Sequence, residues 1–439
     1  METKQLPWWR EPTRAQWSAF MAAWVGWVLD AFDFTIYLLV MKDISKEFGV
    51  GVTAVAGSIT LTLLVRLAGG AVAGWMADKW GRKLPLMLSL LWFAAFDFAI
   101  YFAPTFGWVL LLRTLFGFGM GAEWTAGTAL AMENWPARSR KIASGLLQAG
   151  WPVGFLLAAA VASFVIPAFG WRAMFIVAVI PALLVIPIRF MVPDEVSKAP
   201  KQVAKQGVSD LAEPGVRRML ILGSAVMALG FIVYYGLTAH YTLMLRSEHG
   251  LSVSGAMLDV IVFNLGMLFG VIAAGWVANR YGVVTALVAP ALLMVPAIPL
   301  YVGAVPALLP LGAFLGGALG VGYSGVTPVL TTSLFPEHVR ARAIGIVYHA
   351  GALIAAFVPT AIAALEANTQ LTLSGAIAIV ASAGLIGMSL AVLALRKRLS
   401  AVELGAPATS PIELPRAVAV EAPDPVAIAS VERRAELAS

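Results

Sequence analysis

Two aspartates three residues apart, Asp30 and Asp33, stand inside an apolar run that begins at Trp17. At 1.5 Å per residue they lie about 20 Å along a helix, and a spacing of three puts both carboxyls on one face. Two carboxyls in one low-dielectric cavity cannot both ionise cheaply, so the expected chemistry is a site that takes up and releases a proton. Arg66, Arg113 and Glu123 lie within further apolar runs. A buried guanidinium can grip an incoming carboxylate through two parallel hydrogen bonds, or it can hold an internal acid in a permanent ion pair. Both readings stay open for Arg113, with Asp30, Asp33 or Glu123 as partner in the second. Glu123 lies ten residues beyond Arg113, about 15 Å further along the helix, and reads as a second proton station or as the partner of Arg66. Asp97, near the end of its run, reads as a solvated or capping carboxylate and is left out of the candidate site.

Placing such groups in apolar runs is costly, roughly 2.5 to 3.5 kcal/mol each, which makes them functional candidates. The elements that carry them are membrane spans. Of 439 residues 60% are hydrophobic and 12% charged, with a mean hydropathy of +0.85, far from the composition of a soluble domain. Stretches of about 20 apolar residues, each long enough for a hydrocarbon core of roughly 30 Å, recur from Trp17 to Leu395. They predict twelve spans at 17–41, 54–78, 84–103, 107–132, 142–166, 171–191, 219–246, 256–278, 283–303, 306–333, 342–366 and 371–395.

The net charge of +6 does not point to nucleic acid, because the basic residues cluster in short segments between spans. Lys79, Arg82, Lys83, Arg138, Arg140, Lys141, Arg280, Arg340 and Arg342 fall on one side with Arg396, Lys397 and Arg398. By the positive-inside rule this side is the cytoplasm, and an even number of spans puts both termini there. The first span follows a polar segment and lacks a small-residue exit, so it reads as a retained anchor rather than a signal peptide. The expected organisation is a six-helix bundle at 1–191, a cytoplasmic linker at 192–218, a second six-helix bundle at 219–395 and a disordered cytoplasmic tail at 396–439. With no cysteine in the chain, disulfides and thiol chemistry are excluded.

An internal repeat supports the division. Gly74-Trp75-Met76-Ala77-Asp78-Lys79-Trp80-Gly81 is echoed 201 residues later by Gly275-Trp276-Val277-Ala278-Asn279-Arg280-Tyr281-Gly282, and Pro136, Arg140 and Gly145 recur 200 residues later as Pro336, Arg340 and Gly345. The loop Gly74, Asp78, Gly81, Arg82, Lys83 resembles the G-x-x-x-D-x-x-G-R-[RK] signature of the major facilitator superfamily, and Arg113, Gly117, Gly119 and Gly121 resemble its fourth-span R-x-x-x-G-x-G-x-G motif. The resemblance covers residues 17–395 and implies an all-α membrane fold of twelve helices in two bundles. Within the superfamily, WVGWVLDAFDFTIYLLV, GMGAEW, ENWPARSRKIASGLLQAGWPVG and GWRAMF are similar to the sialate:proton symporter branch, which includes lactate and pyruvate permeases; aromatic-acid:proton symporters share part of the pattern.

That resemblance implies proton-coupled symport of a small organic anion by alternating access, with a monocarboxylate such as lactate or pyruvate favoured because the chain lacks extra central spans. Sialate or an aromatic acid is the alternative within the class; a channel, a uniporter or a transceptor is the alternative outside it. Proton coupling is expected at Asp30, Asp33 and Glu123. Substrate contacts are expected at Arg113, Arg66, Tyr234, His240, Asn264, Tyr323 and His349, although the seventh span, YYGLTAHYTLML, has His240 without the Asn and Asp of the lactate permeases. Trp24, Trp27, Trp124 and Trp151 could line a pocket, with bundle packing or lipid contact the default for most of them. Asp78 and Arg82 are expected to gate the inner face, Asp78 from beside a helix N-terminus of the other half. No cofactor, metal or nucleic acid is implied, and the absence of phosphate-binding loops, HExxH and nucleophile elbows leaves no enzymatic motif. The expected setting is the inner cell membrane, the partners are the anion, the proton and the bilayer, and the protein is expected to act as a monomer.

Overall fold

The computed structural model describes residues 7–179, 192–193 and 208–403, and every regular element among them is helical. In the first half, α1 (Arg14–Phe48) begins with a capping box in which Thr13 and Gln16 satisfy each other's backbone N–H groups. It ends at Gly49, whose φ of 63° a residue without Cβ adopts cheaply. Then come α2 (Val52–Trp80), α3 (Lys83–Tyr101) and α4 (Phe106–Glu133). The fifth span is α5 (Arg140–Gln148) continued by α6 (Gly150–Phe169), and α7 (Ala173–Val177) starts the sixth.

The second half is less regular. Its seventh span is α8 (Pro214–Thr238) with α9 (Tyr241–Ser247), followed by α10 (Val253–Tyr281) and α11 (Val283–Tyr301). The tenth breaks into α12 (Leu309–Leu315), a π-helical segment Gly316–Val321, a 3-10 segment Gly322–Val326 and α13 (Thr327–Leu334). The eleventh is α14 (Arg340–Ala355) with α15 (Val358–Asn368), divided just before Pro359, and α16 (Leu373–Glu403) is the last.

Among the described residues, ten helical stretches are long and apolar enough to cross a bilayer. α4 falls short on hydropathy because it carries Arg113, Glu123 and several glycines, yet at 28 residues it has the length. Most of the sixth expected span, most of the 192–218 connection and the tail beyond Glu403 lie outside the described residues. The expected boundary at 396 shifts, since α16 continues to Glu403 with Leu395, Arg398 and Leu399 still buried.

Exposure is inverted relative to a water-soluble protein. Phe164 and Phe169 are each 77% exposed, whereas Asp30, Asp33 and Asp97 are 0% exposed. Large apolar side chains outside and charges inside fit a hydrocarbon surround. The repeat has a packing cause as well. α2 crosses α14 of the other half and α10 crosses α5. A Cβ on Gly145 would lie 3.2 Å from the Cα of Gly275, and one on Gly345 would lie 2.7 Å from the Gly70 carbonyl oxygen. Both crossings need glycine because backbone meets backbone there.

Candidate functional site

α1 aims Trp27, Asp30, Asp33 and Tyr37 inward at helical spacing, toward α2 and α4. Asp30 meets Arg66 of α2, with Nη2 3.5 Å from Oδ2. The Arg66 guanidinium also stands 5.6 Å from the ring centroid of Tyr348 on α14. This ion pair therefore lies where the two halves meet.

Arg113 is placed differently. Its Nη1 donates to Asp97 Oδ1 at 3.2 Å, and its guanidinium lies over the rings of Phe116 and Tyr37 at 4.0 and 4.5 Å. These partners all belong to the first half. Asp97 is thus fully buried and ion-paired, which corrects its assignment as a solvated cap: α3 packs against α4 and turns this position inward. Asp97 also replaces Asp30, Asp33 and Glu123 as the observed partner of Arg113. Asp33 has no hydrogen-bond partner for either carboxylate oxygen among the described residues, and Glu123 has none for Oε2. Around this centre two arginines, Arg66 and Arg113, thus face four buried acids, Asp30, Asp33, Asp97 and Glu123.

Between the halves stands an aromatic box. Trp27 lies 4.5 Å from Trp124 and 4.9 Å from Trp151, and Trp124 lies 4.2 Å from Tyr348. Phe231 meets Tyr348 at 5.0 Å, and Trp151 Nε1 donates to the Tyr234 hydroxyl at 3.1 Å. Tyr234 and Arg66 are therefore brought together with three of the four tryptophans for which the sequence left pocket lining open beside the default of packing or lipid contact. A signal was present: Trp27 precedes Asp30 by three residues and shares its face.

The other candidates scatter around this centre. His349 is fully buried and its Nε2 is 3.0 Å from the Gly121 carbonyl oxygen, joining α14 to α4. Tyr323 packs under Gly230, where a Cβ would lie 2.7 Å from the ring. Asn264 donates to the Val260 carbonyl of its own helix, and His240 sits between α8 and α9 with Nε2 2.9 Å from the Pro359 carbonyl oxygen. The structure brings neither Asn264 nor His240 into contact with the aromatic box.

Toward the Asp78 end the halves close on each other. Asp78 Oδ2 accepts from the backbone N–H of Arg342 at 3.3 Å and from its Nε at 3.0 Å, in the first turn of α14. Arg82 stays within the first half, forming two bonds to Glu133 at 2.8 and 3.0 Å. Glu133 was not anticipated. The Ser144 hydroxyl donates to the Gly325 carbonyl at 2.8 Å and accepts from the Val329 N–H at 3.2 Å, sealing α5 against the tenth span.

Residues 23–359 match the profile of the Major Facilitator Superfamily, and the chain belongs to that family of membrane transporters. Among curated proteins it is 28% identical to a cis,cis-muconate transport protein of Acinetobacter baylyi, over 81% of this chain and 89% of the relative. It is 25% identical to the sialic acid transporter NanX of Escherichia coli, over 79% of this chain and 86% of the relative. Among solved structures, the proton:xylose symporter bound to 6-bromo-6-deoxy-D-glucose superposes with a TM-score of 0.72 at 18% identity, over 88% of this chain and 96% of that one. That likeness establishes the fold alone.

Proposed function

We propose that the protein is a proton-coupled symporter for a planar organic acid, conjugated or aromatic, working by alternating access. The observation that carries the reading is Arg66, held beside a box of Trp27, Trp124, Trp151, Tyr234 and Tyr348 contributed by both halves. A guanidinium supplies the counter-charge for one carboxylate, and flat aromatic walls favour a flat ligand. The muconate relative fits this chemistry better than a three-carbon acid such as lactate, and the box offers too few polar groups for a polyhydroxylated sugar acid.

Coupling follows from charge. An entering carboxylate competes with Asp30 for Arg66, so Asp30 becomes the natural acceptor of a proton as the anion binds. Asp33, beside the Asp97–Arg113 pair, and Glu123 supply further proton sites. Asp78 and Arg342 hold the closed end and part when the halves rock. The basic segments support a cytoplasmic position for that end and for both termini.

Purified protein in liposomes tests the proposal through uptake of labelled cis,cis-muconate and benzoate under an imposed pH gradient. The expected result is uphill uptake into the liposomes when the outside is the acid side, lost in Arg66→Gln. Counterflow that proceeds without any response to the gradient would make the protein a uniporter.

A further inference from the structure

Resting on the reading of the aromatic box as the substrate site, we propose a second polar subsite beside it. There Glu123, Thr128 and the indole N–H groups of Trp27 and Trp124 hold the far polar group of a bifunctional planar acid, either a second carboxylate or a hydroxyl. Arg66 holds the first carboxylate.

All four residues are at least 98% buried. Glu123 Oε2, Thr128 Oγ1, Trp27 Nε1 and Trp124 Nε1 have no hydrogen-bond partner among the described residues. Together with Ala23, Gly127 and Leu147 they line one narrow crevice, too tight for a water-sized group in this closed arrangement, so the ligand's far polar group enters it as the halves part. Buried polar atoms are ordinarily partnered, because leaving one unsatisfied costs its full desolvation. Four such atoms around one crevice are therefore a recognition surface rather than a packing defect.

The slot is shaped for the Glu123 carboxyl. A Cβ at Gly26 would sit 2.7 Å from Glu123 Oε1, and one at Gly127 would sit 3.1 Å from the same atom. Two glycines, one on α1 and one on α4, leave the space that the carboxyl occupies. The crevice also communicates with the box. Trp124 walls both and packs, tilted, with its ring centroid 4.2 Å from that of Tyr348, over which Arg66 stands. Two rings, Trp124 and Tyr348, thus lie between the crevice and the guanidinium, and a six-carbon conjugated chain or a para-substituted ring is the kind of ligand that carries a polar group at each end.

The donor set selects the ligand. Two indole N–H groups and a hydroxyl around one carboxyl would repel a metal cation but suit a group that both accepts and shares hydrogen. A second carboxylate accepts from the indoles and shares a proton with Glu123. A hydroxyl donates to Glu123 and accepts from an indole.

The test compares matched pairs in equilibrium binding to the purified full-length protein: cis,cis-muconate against hexa-2,4-dienoate, which carries a methyl in place of the second carboxylate, and 4-hydroxybenzoate against benzoate. Each bifunctional acid is expected to bind about tenfold or more tighter than its partner, with the ratio falling below about threefold in Thr128→Val and Glu123→Gln. A variant that is merely damaged lowers both affinities and leaves the ratio intact, so an undiminished ratio in folded variants overturns the subsite. Equal affinities within each pair in the wild-type protein also overturn it, while leaving the aromatic box and Arg66 as the site of a monofunctional acid. Failure of every planar acid to bind removes both readings.

Discussion

The fourth and tenth spans occupy corresponding places in the two halves, and they have diverged in opposite directions. α4 is one unbroken helix of 28 residues carrying Arg113 and Glu123 in its buried stretch. The positions 201 residues later are Phe314 and Ser324, in a span that passes through π and 3-10 geometry between Gly316 and Val326. Buried charge needs a rigid, well-partnered frame, because a small displacement strips a guanidinium of its acid. A neutral, glycine-rich span has no such constraint, and π segments of this kind recur at functional sites. One half therefore holds the charge chemistry, and the other supplies a neutral aromatic wall on irregular backbone.

The largest effect that would break this contrast belongs to Arg66. Arg66→Ala leaves Asp30 buried beside no cation and should cost about 3–5 kcal/mol in stability. Transport should be lost with it. The double variant Arg66→Ala/Asp30→Asn should recover most of the thermal stability in detergent but none of the uptake; recovered uptake would remove Arg66 from the substrate site.

Asp78→Asn comes next. Its bonds to Arg342 are charge-assisted and worth about 1.5–3 kcal/mol, so the closed end should open roughly tenfold more often. The chain has no native cysteine, and a single Gln148→Cys reporter on the closed face reads this as faster thiol labelling. Unchanged labelling would show that Asp78 does not hold the closure.

Gly317→Ala probes the tenth span itself. Its Cβ would meet the Phe263 carbonyl and, at 2.6 Å, the Met267 backbone nitrogen, so melting should show a loss of about 1–3 kcal/mol. Gly320→Ala meets only the end of the Leu237 side chain at 2.6 Å, which can turn aside, and should cost less. Equal costs would argue against local plasticity. The smallest effect is expected from Ser144→Ala, which removes two bonds across the closed end for about 0.5–1.5 kcal/mol. It should raise labelling of the same reporter only slightly.

Much of this architecture is legible along the chain. Twelve spans are read from the apolar runs, and among the described residues ten helices are long and apolar enough to cross. The echo of Gly74 in Gly275 and of Gly145 in Gly345 marks where backbones must touch. The acidic pair and both arginines stand out because charge in hydrocarbon is rare. Asp97 was missed because its position near a span end was allowed to outweigh that rule. The three tryptophans could not be singled out along the chain, because aromatic residues are common at lipid interfaces and in helix packing as well as in pockets.

By itself the sequence determined the membrane, the helical frame, the repeat and the inventory of buried charge, since these depend on composition and periodicity, which are local. Only the tertiary structure decided the pairing. Arg66 meets Asp30 and an aromatic ring from the other half, Arg113 meets Asp97 inside its own half, and Glu123 rests in a slot between two glycines. Such partnerships depend on how helices rotate and cross, and at 3.6 residues per turn a rotation of a few tens of degrees exchanges one neighbour for another.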